Sequence, residues 1–458
     1  MDDKNAYREI PRVDKLLEHF DDSFNVNVLK YCINKVLDNV RLQIKNDKIT
    51  HCVEGHEIIE KIKQEYDNFI NGSLKKVVNA TGTILHTNLG RSPISRQHYL
   101  KAADVATAYS NLEFDLLKGA RGNRYAHVAE YITYLTGREA SLVVNNNAAA
   151  VFFVLNTFCK GGNVIISRGE LVEIGGSFRI PEVMKAAQAD IKEVGTTNKT
   201  KLSDYENAID DNTKMILKVH RSNFKLIGFT EEVMVNKLAE LAGKYNVLTY
   251  YDLGSGLFNN HVARMFNEPC VIDGALRGVD LISFSGDKLL GSVQAGIIAG
   301  KKSLINKLRG NQLLRMLRVD KLTLAMLQET MKDYIINDGK GIPILQMILE
   351  SREDHLKKCK AIKELLEKDL KDKIDYIEIK EDFACIGGGS CPEEYIESYA
   401  LFLSFKNLRT MEVKRRLLEY KIPIIVRVSE EKLLINPITL LDGDINIVRD
   451  ALRWVTTT

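Results

Sequence analysis

The sequence predicts an α/β protein, with a small helical domain ahead of a mostly parallel sheet and an α+β domain after it. Three observations predict this. Residues 1–75 carry apolar side chains at helical spacing. From 76 to about 330, short wholly apolar runs alternate with helical stretches, the pattern of strands buried on both faces. Residues 331–458 begin with a long Leu-, Met-, Lys- and Glu-rich stretch and end in short strand-like runs.

In the first segment Leu29, Ile33, Val36, Leu37, Val40 and Ile44 mark one helix, and Ile58, Ile59, Ile62 and Ile70 a second. Its 12 Lys and Arg against 14 Asp and Glu leave no basic excess, so composition alone fits packing or assembly as well as binding. In the second segment, 141–144, 163–167, 215–219, 247–251 and 281–284 read as strands. Residues 148–159, 178–188 and 232–245 read as helices. Glycine turns at Gly161-Gly162, Gly175-Gly176 and Gly254-Ser255-Gly256 follow strands, where open α/β sheets gather their ligands. In the third, 320–371 reads as one long helical stretch and 410–419 as a helix. Residues 376–379, 400–405 and 433–436 read as strands of an antiparallel sheet.

The 458 residues are 45% apolar and 27% charged, which excludes a disordered, collagenous or membrane-spanning chain. A formal charge of +3, from 64 basic and 61 acidic residues, announces no nucleic-acid partner. The seven cysteines are scattered and lack metal or disulfide spacing, so a reduced, cytoplasmic protein without a bound metal is expected. The charged first residues lack the apolar core of a signal peptide.

Three motifs carry chemistry. Lys288, in Ser283-Phe284-Ser285-Gly286-Asp287-Lys288, follows an apolar strand; a desolvated amine there forms Schiff bases with carbonyls. Asp252 ends an earlier strand, and an acid there with a lysine at a later strand end is what a pyridoxal phosphate enzyme needs. Asn145, Asn146 and Asn147 lead into an alanine-rich helix, whose free amides suit a phosphate. Each has a plainer reading: a surface lysine, a turn aspartate, an Asn helix cap.

Longer stretches carry a resemblance. VVNATGTILHTNLGRSPIS (77–95), GNRYAHVAEYITYLTGREASLVVNNNAAAV (122–151), EVGTTNKT (193–200), DLGSG (252–256), SFSGDKLLG (283–291) and LRVDKLTLA (317–325) resemble the bacterial selenocysteine synthase family. These are the L-seryl-tRNA(Sec) selenium transferases, fold-type I pyridoxal phosphate enzymes. The resemblance implies a large fold-type I domain and an N-terminal domain that grips tRNA. It implies a homodecamer, a pentamer of dimers, acting on seryl-tRNA(Sec) and selenophosphate, with no membrane or DNA partner. It implies that Lys288 carries pyridoxal 5'-phosphate and removes the Cα proton, that Asp252 meets the pyridine nitrogen, and that Asn145, Asn146, Asn147, Ser285 and His220 line the cofactor pocket. Arg91 matches an active-site arginine supplied across a subunit boundary, and Arg315 and Arg318 match the pair at the selenium-donor site. Their i, i+3 spacing would set both guanidiniums on one helix face. The implied reaction is β-elimination of water from the seryl group followed by selenium addition. A pyridoxal phosphate lyase or desulfurase acting on a small amino acid without tRNA is the alternative, and a non-catalytic RNA-binding protein a further one.

Three positions depart from the family pattern. Ser292-Val293 stand where the family has Gly-Pro. Arg221 replaces a small polar residue; it either adds charge near the cofactor or, the preferred reading, points to solvent. Cys385 and Cys391 flank the Gly387–Ser390 loop as fillers or as a redox liability.

Overall fold

The computed structural model describes residues 10–46, 55–174 and 178–457. Contacts divide the chain into two compact units, Met1–Lys76 and Val77–Thr458. In the first unit, helices α1 (Val13–Leu17), α2 (Val26–Lys45) and α3 (Gly55–Asn71) bury Leu16, Leu29, Ile33, Leu37, Ile58 and Ile62 against one another. The apolar stripe read from the sequence is this core, except that Ile70 is exposed. Asn25 caps α2 by accepting from the amides of Asn27 and Val28.

The second unit is built on a seven-stranded sheet of the described residues. Its strands are β1 (Ala140–Val144), β2 (Asn163–Ser167), β3 (Asp190–Val194), β4 (Thr213–Val219), β5 (Leu248–Gly254), β6 (Leu281–Ser285) and β7 (Gly296–Gly300), in spatial order β1-β7-β6-β5-β4-β2-β3. Only β7 runs antiparallel, between β6 and β1. The carboxyl ends of β1, β2, β3, β4, β5 and β6 therefore share one edge, where the loops that bind ligands emerge. Strands β1, β5, β6 and β7 are apolar and buried almost throughout, as a sheet covered on both faces requires. Helix α4 (Asn147–Cys159), which follows β1, buries Phe153, Val154 and Leu155 in the same core.

Two strands of this sheet escaped the sequence reading. β3, in which only Val194 is buried, lies at the sheet edge and has no continuous apolar run. β7 lies in a glycine-flanked run, Gly-Ile-Ile-Ala-Gly, too short to signal a strand unaided. The expected helix at 178–188 is shorter: Phe178–Arg179 is extended and the helix begins at Ile180 with Pro181 in its first turn. The Gly175-Gly176 turn lies outside the described residues.

The expected long helix at 320–371 is three helices. α5 (Lys321–Asn337) ends where Asp338 and Gly339 take positive φ of 53° and 76°. A short helix, Pro343–Leu349, follows, and then α6 (Arg352–Leu370), capped by Ser351. The last sheet is antiparallel. Its strands β8 (Ile374–Gly387), β9 (Ser390–Phe405), β10 (Arg427–Ser429) and β11 (Lys432–Ile435) lie in the order β8-β9-β11-β10. With α6, α7 (Thr410–Glu419) and α8 (Asp444–Thr457) it buries Ile362, Leu366, Leu401, Leu433, Val448 and Leu452. The tip of the β8–β9 hairpin reaches back to the large sheet's loops: the amides of Ile84 and Leu85 donate to Cys385 and Ile386 at 2.9 and 2.7 Å. Gly387, Gly388 and Gly389 all take positive φ there; a Cβ on Gly388 would meet Leu85 O at 2.6 Å.

Candidate active site

The loops at the carboxyl edge converge on Lys288. β5 and β6 are parallel neighbours, with Asp252 beside Ser283 in the register, so an acid and a lysine loop leave the sheet side by side. Lys288 is 5% exposed, and among the described residues its side-chain amine makes no hydrogen bond. Burial, and next the positive Arg91, hold its amine below the usual lysine range, against the pull of Asp252, Asp287 and Glu268. Asp252 is buried, and burial pushes its carboxyl upward. Opposing that, Asn147 Nδ2 donates to Oδ1 at 2.7 Å and the Gly254 amide at 3.1 Å, while Lys288 and His220 add favourable charge.

The three asparagines divide the work rather than sharing it. Asn145 is exposed, and its amide donates to Leu317 O at 3.1 Å. Asn146 caps α4, accepting from the Ala149 amide at 2.8 Å. Asn147 holds Asp252 and leaves its own Oδ1 buried without a partner. The Asn146 and Asn147 side chains are thus committed to protein partners, and beside them stands the amino end of α4, the kind of helix end that suits an anion. Ser285 is buried at the end of β6. His220 leaves β4 with its amide donating to Asp252 O at 2.9 Å, and its Nε2 lies 3.1 Å from Glu268 Oε2. The neighbouring Ser222 is buried with its hydroxyl unpartnered.

Arg91 takes φ of 61°, unusual for a side chain with a Cβ, and its Nη1 donates to Asp287 Oδ2 at 2.7 Å in the same chain. Within this chain it therefore stands beside the lysine loop. Arg315 and Arg318 do not share a helix face: Arg315 ends a short 3₁₀ turn, Gln312–Arg315, and Arg318 lies in irregular chain beyond it. They nonetheless line one cavity of about 330 Å³ with Arg121, Arg124, Arg309 and Glu113. Glu113 binds Arg124 through Nε at 2.8 Å and lies 3.7 Å from Arg318. The Tyr125 hydroxyl and Arg309 Nε in this wall are buried and unpartnered. Leu317, between the two arginines, is the residue that Asn145 binds, so a short path of contacts links this cavity to Asp252.

The departures from the family pattern are resolved too. Ser292 is buried and its hydroxyl lies 2.8 Å from Thr330 Oγ1 on α5, a contact that ties this turn to the helix. Arg221 does not point to solvent: Nη2 donates to Glu232 at 3.2 Å, and Glu232 also receives the buried Lys218 at 3.4 Å. Cys385 and Cys391 are not disulfide-bonded. Cys385 Sγ lies 3.3 Å from Thr83 Oγ1, and burial, with Glu268 beside it, pushes the Cys391 thiol well up. Sequence reasoning missed Glu268, the Ser222 hydroxyl and the Tyr125–Arg309 wall; Glu268 and Arg309 belong to no motif, and Tyr125, though inside the 122–151 stretch, carried no signal of its own. No described helix is long and apolar enough to cross a membrane.

Residues 77–441 match the SelA family, L-seryl-tRNA selenium transferase. The chain is 44% identical to the L-seryl-tRNA(Sec) selenium transferase of Clostridium botulinum (strain Okra / Type B1), over 99% of each chain. It is 43% identical to that of Aquifex aeolicus (strain VF5), over 98% of this chain and 99% of the relative. Among solved structures, D-glucosaminate-6-phosphate ammonia-lyase superposes with a TM-score of 0.57 at 17% identity, covering 85% of this chain and 98% of that one; this likeness is one of fold.

Proposed function

The chain belongs to the SelA family of L-seryl-tRNA selenium transferases, and on that premise we propose that the Lys288 pocket and the arginine cavity are the two halves of its active site. The enzyme converts L-seryl-tRNA(Sec) to L-selenocysteinyl-tRNA(Sec), drawing selenium from selenophosphate. The relatives support this reading and not a lyase or desulfurase acting without tRNA.

The pocket fits the family's cofactor, pyridoxal 5'-phosphate. It offers a buried amine without a hydrogen bond, a buried carboxylate at the next strand end, and the amino end of α4. It also holds two buried polar atoms without partners, Asn147 Oδ1 and Ser222 Oγ. Lys288 would hold the cofactor's carbonyl carbon, Asp252 its ring nitrogen and the α4 end its phosphate. When bound, the cofactor supplies an electron sink for negative charge at the seryl Cα.

The side chains then have distinct tasks. Lys288, whose proton affinity burial lowers, takes the proton from the seryl Cα. Asp252, whose anionic form Asn147 and the Gly254 amide favour against burial, faces the ring nitrogen's positive charge in the proposed site. Arg91, paired with Asp287, keeps positive charge beside Lys288 and favours its neutral form. Arg315 and Arg318 grip the phosphate of the selenium donor, which planar guanidiniums bind in pairs. The observation that carries this assignment is the separation of a buried lysine and its carboxylate from a guanidinium-lined cavity one contact path away.

The helical unit before Val77 is the part we assign to tRNA, since every cofactor group lies after it. For the assembly we propose the pentamer of dimers; the fully exposed Tyr109 and Leu117, with Leu116, offer apolar surface for it. The cytosol is the compartment we assign. Substitution of Lys288 by Ala tests the reading: turnover with seryl-tRNA(Sec) is lost while the melting temperature holds. Full turnover in that variant overturns it.

A further inference from the structure

Glu268 belongs to no motif, yet it gathers the loops of the active site. It lies just after a short helix, Asn260–Phe266, beyond Asn267 at φ 51°. Its carboxylate is buried and takes partners from three separate places. Ser255 Oγ, in the loop after β5, donates at 2.5 Å. His220 Nε2, just after β4, lies at 3.1 Å. The Cys391 thiol, at the tip of the β8–β9 hairpin, is the third. Burial works to raise the carboxyl, but hydrogen bonds and charge from His220, with Ser255 and Cys391, hold it below the usual range. A buried carboxylate without such partners would be costly.

The partners of Glu268 in turn fix the two cofactor residues. The His220 amide donates to Asp252 O at 2.9 Å. The amide of Leu289, next to Lys288, donates to Ser255 O at 3.0 Å. A single carboxylate is thus one side chain removed from the backbone of both Asp252 and Lys288. We infer that Glu268 is a positioning residue of the cofactor pocket, acting through His220 and Ser255 to hold Asp252 and Lys288 in register, an inference that rests on reading those two as the cofactor residues. Outer hydrogen-bond partners of this kind set the orientation and tautomer of a histidine that faces a bound group.

The test uses the full-length protein loaded with pyridoxal phosphate, read by cofactor dissociation constant and by the circular dichroism that the pocket induces in the cofactor's visible band. Glu268→Gln weakens cofactor binding about tenfold, the loss of one charge-assisted hydrogen bond, and changes the induced signal, which reports ring orientation. Glu268→Asp restores part of both. His220→Asn and Ser255→Ala each show a share of the effect, and adding Glu268→Gln to the His220→Asn, Ser255→Ala pair does no further harm. A Glu268→Gln protein that melts earlier but keeps wild-type affinity and induced signal overturns the inference, as does a full extra loss in the triple variant. If Glu268→Gln does not fold, Glu268→Asp and the His220 and Ser255 variants decide the question by the same two readouts. Lys288→Ala run alongside separates the premise: an unchanged visible band there condemns the lysine assignment, whatever Glu268 does.

Discussion

The lysine pocket and the arginine cavity handle charge in opposite ways. Around Lys288 most charges are buried: the amine, Asp252 and, behind them, Glu268 with His220, with the half-buried Arg91–Asp287 pair beside them. Both groups are buried, so burial shifts Lys288 and Asp252 toward their neutral forms and each hydrogen bond and neighbouring charge decides how far the shift goes. The guanidiniums of Arg315 and Arg318 are exposed, with the more buried Arg124 and Arg309 behind them, and one carboxylate, Glu113, stands among them. Guanidinium keeps its charge whatever the surroundings. A chemical base needs a tunable proton affinity and an anion grip needs a permanent charge; the two pockets supply one each.

Removing the base should have the largest effect. Lys288→Ala leaves no side chain to move the Cα proton, so turnover falls to background, measured as selenocysteinyl-tRNA formed, while folding by far-ultraviolet dichroism is retained. Deleting residues 1–76 should come next. The remaining chain keeps its own core and binds pyridoxal phosphate, but its affinity for seryl-tRNA(Sec), measured by filter binding, drops by at least about tenfold; undiminished affinity would assign the helical unit to assembly instead.

Arg315→Ala and Arg318→Ala should each weaken the dependence on selenophosphate by roughly tenfold to a hundredfold, the worth of one charge-assisted contact. Lysine replacements recover part of it, because a point charge lacks the planar fork. Arg91→Ala should act on pH. Burial is the first cause of the lowered Lys288 affinity and Arg91 the second, so removing Arg91 raises it. The rate needs the neutral amine and climbs with pH; its rising limb therefore moves to higher pH in Arg91→Ala, read from single-turnover rates across pH. A limb that moves the other way, or not at all, removes Arg91 from the base's surroundings. The smallest effect belongs to Ser292→Ala, which loses the tie to Thr330 and costs about 1 kcal/mol in denaturant unfolding, with donor and cofactor binding unchanged.

The two pockets also differed in how much of them could be read from the chain. Lys288 and Asp252 were legible because each sits at the end of an apolar run, and the parallel sheet brings such ends together. The triple asparagine was legible as a site but not in its parts, since helix capping at Asn146 competes with ligand binding and only geometry shows which won. Arg315 and Arg318 were legible as a pair, but not their setting: a 3₁₀ turn ends at Arg315, and the cavity, not a helix, unites them. Glu268 was illegible because its partners lie far apart in sequence, at Ser255, His220 and Cys391. In the fold, strands buried on both faces announced themselves, whereas β3, half-exposed at the sheet edge, did not. The long helical stretch after 320 concealed its break because Asp338 and Gly339 interrupt a sequence otherwise suited to helix on both sides.

The division between the pockets can be tested in one measurement, the exchange of the seryl Cα proton with solvent deuterium, followed on seryl-tRNA(Sec) with the cofactor-loaded enzyme and no selenophosphate present. This exchange needs the base but not the selenium donor. The account predicts wild-type exchange in the Arg315→Ala, Arg318→Ala double variant and none in Lys288→Ala. Loss of exchange in the arginine double variant to the level of Lys288→Ala would contradict it, and would place those guanidiniums in proton removal or in holding the tRNA or the cofactor phosphate.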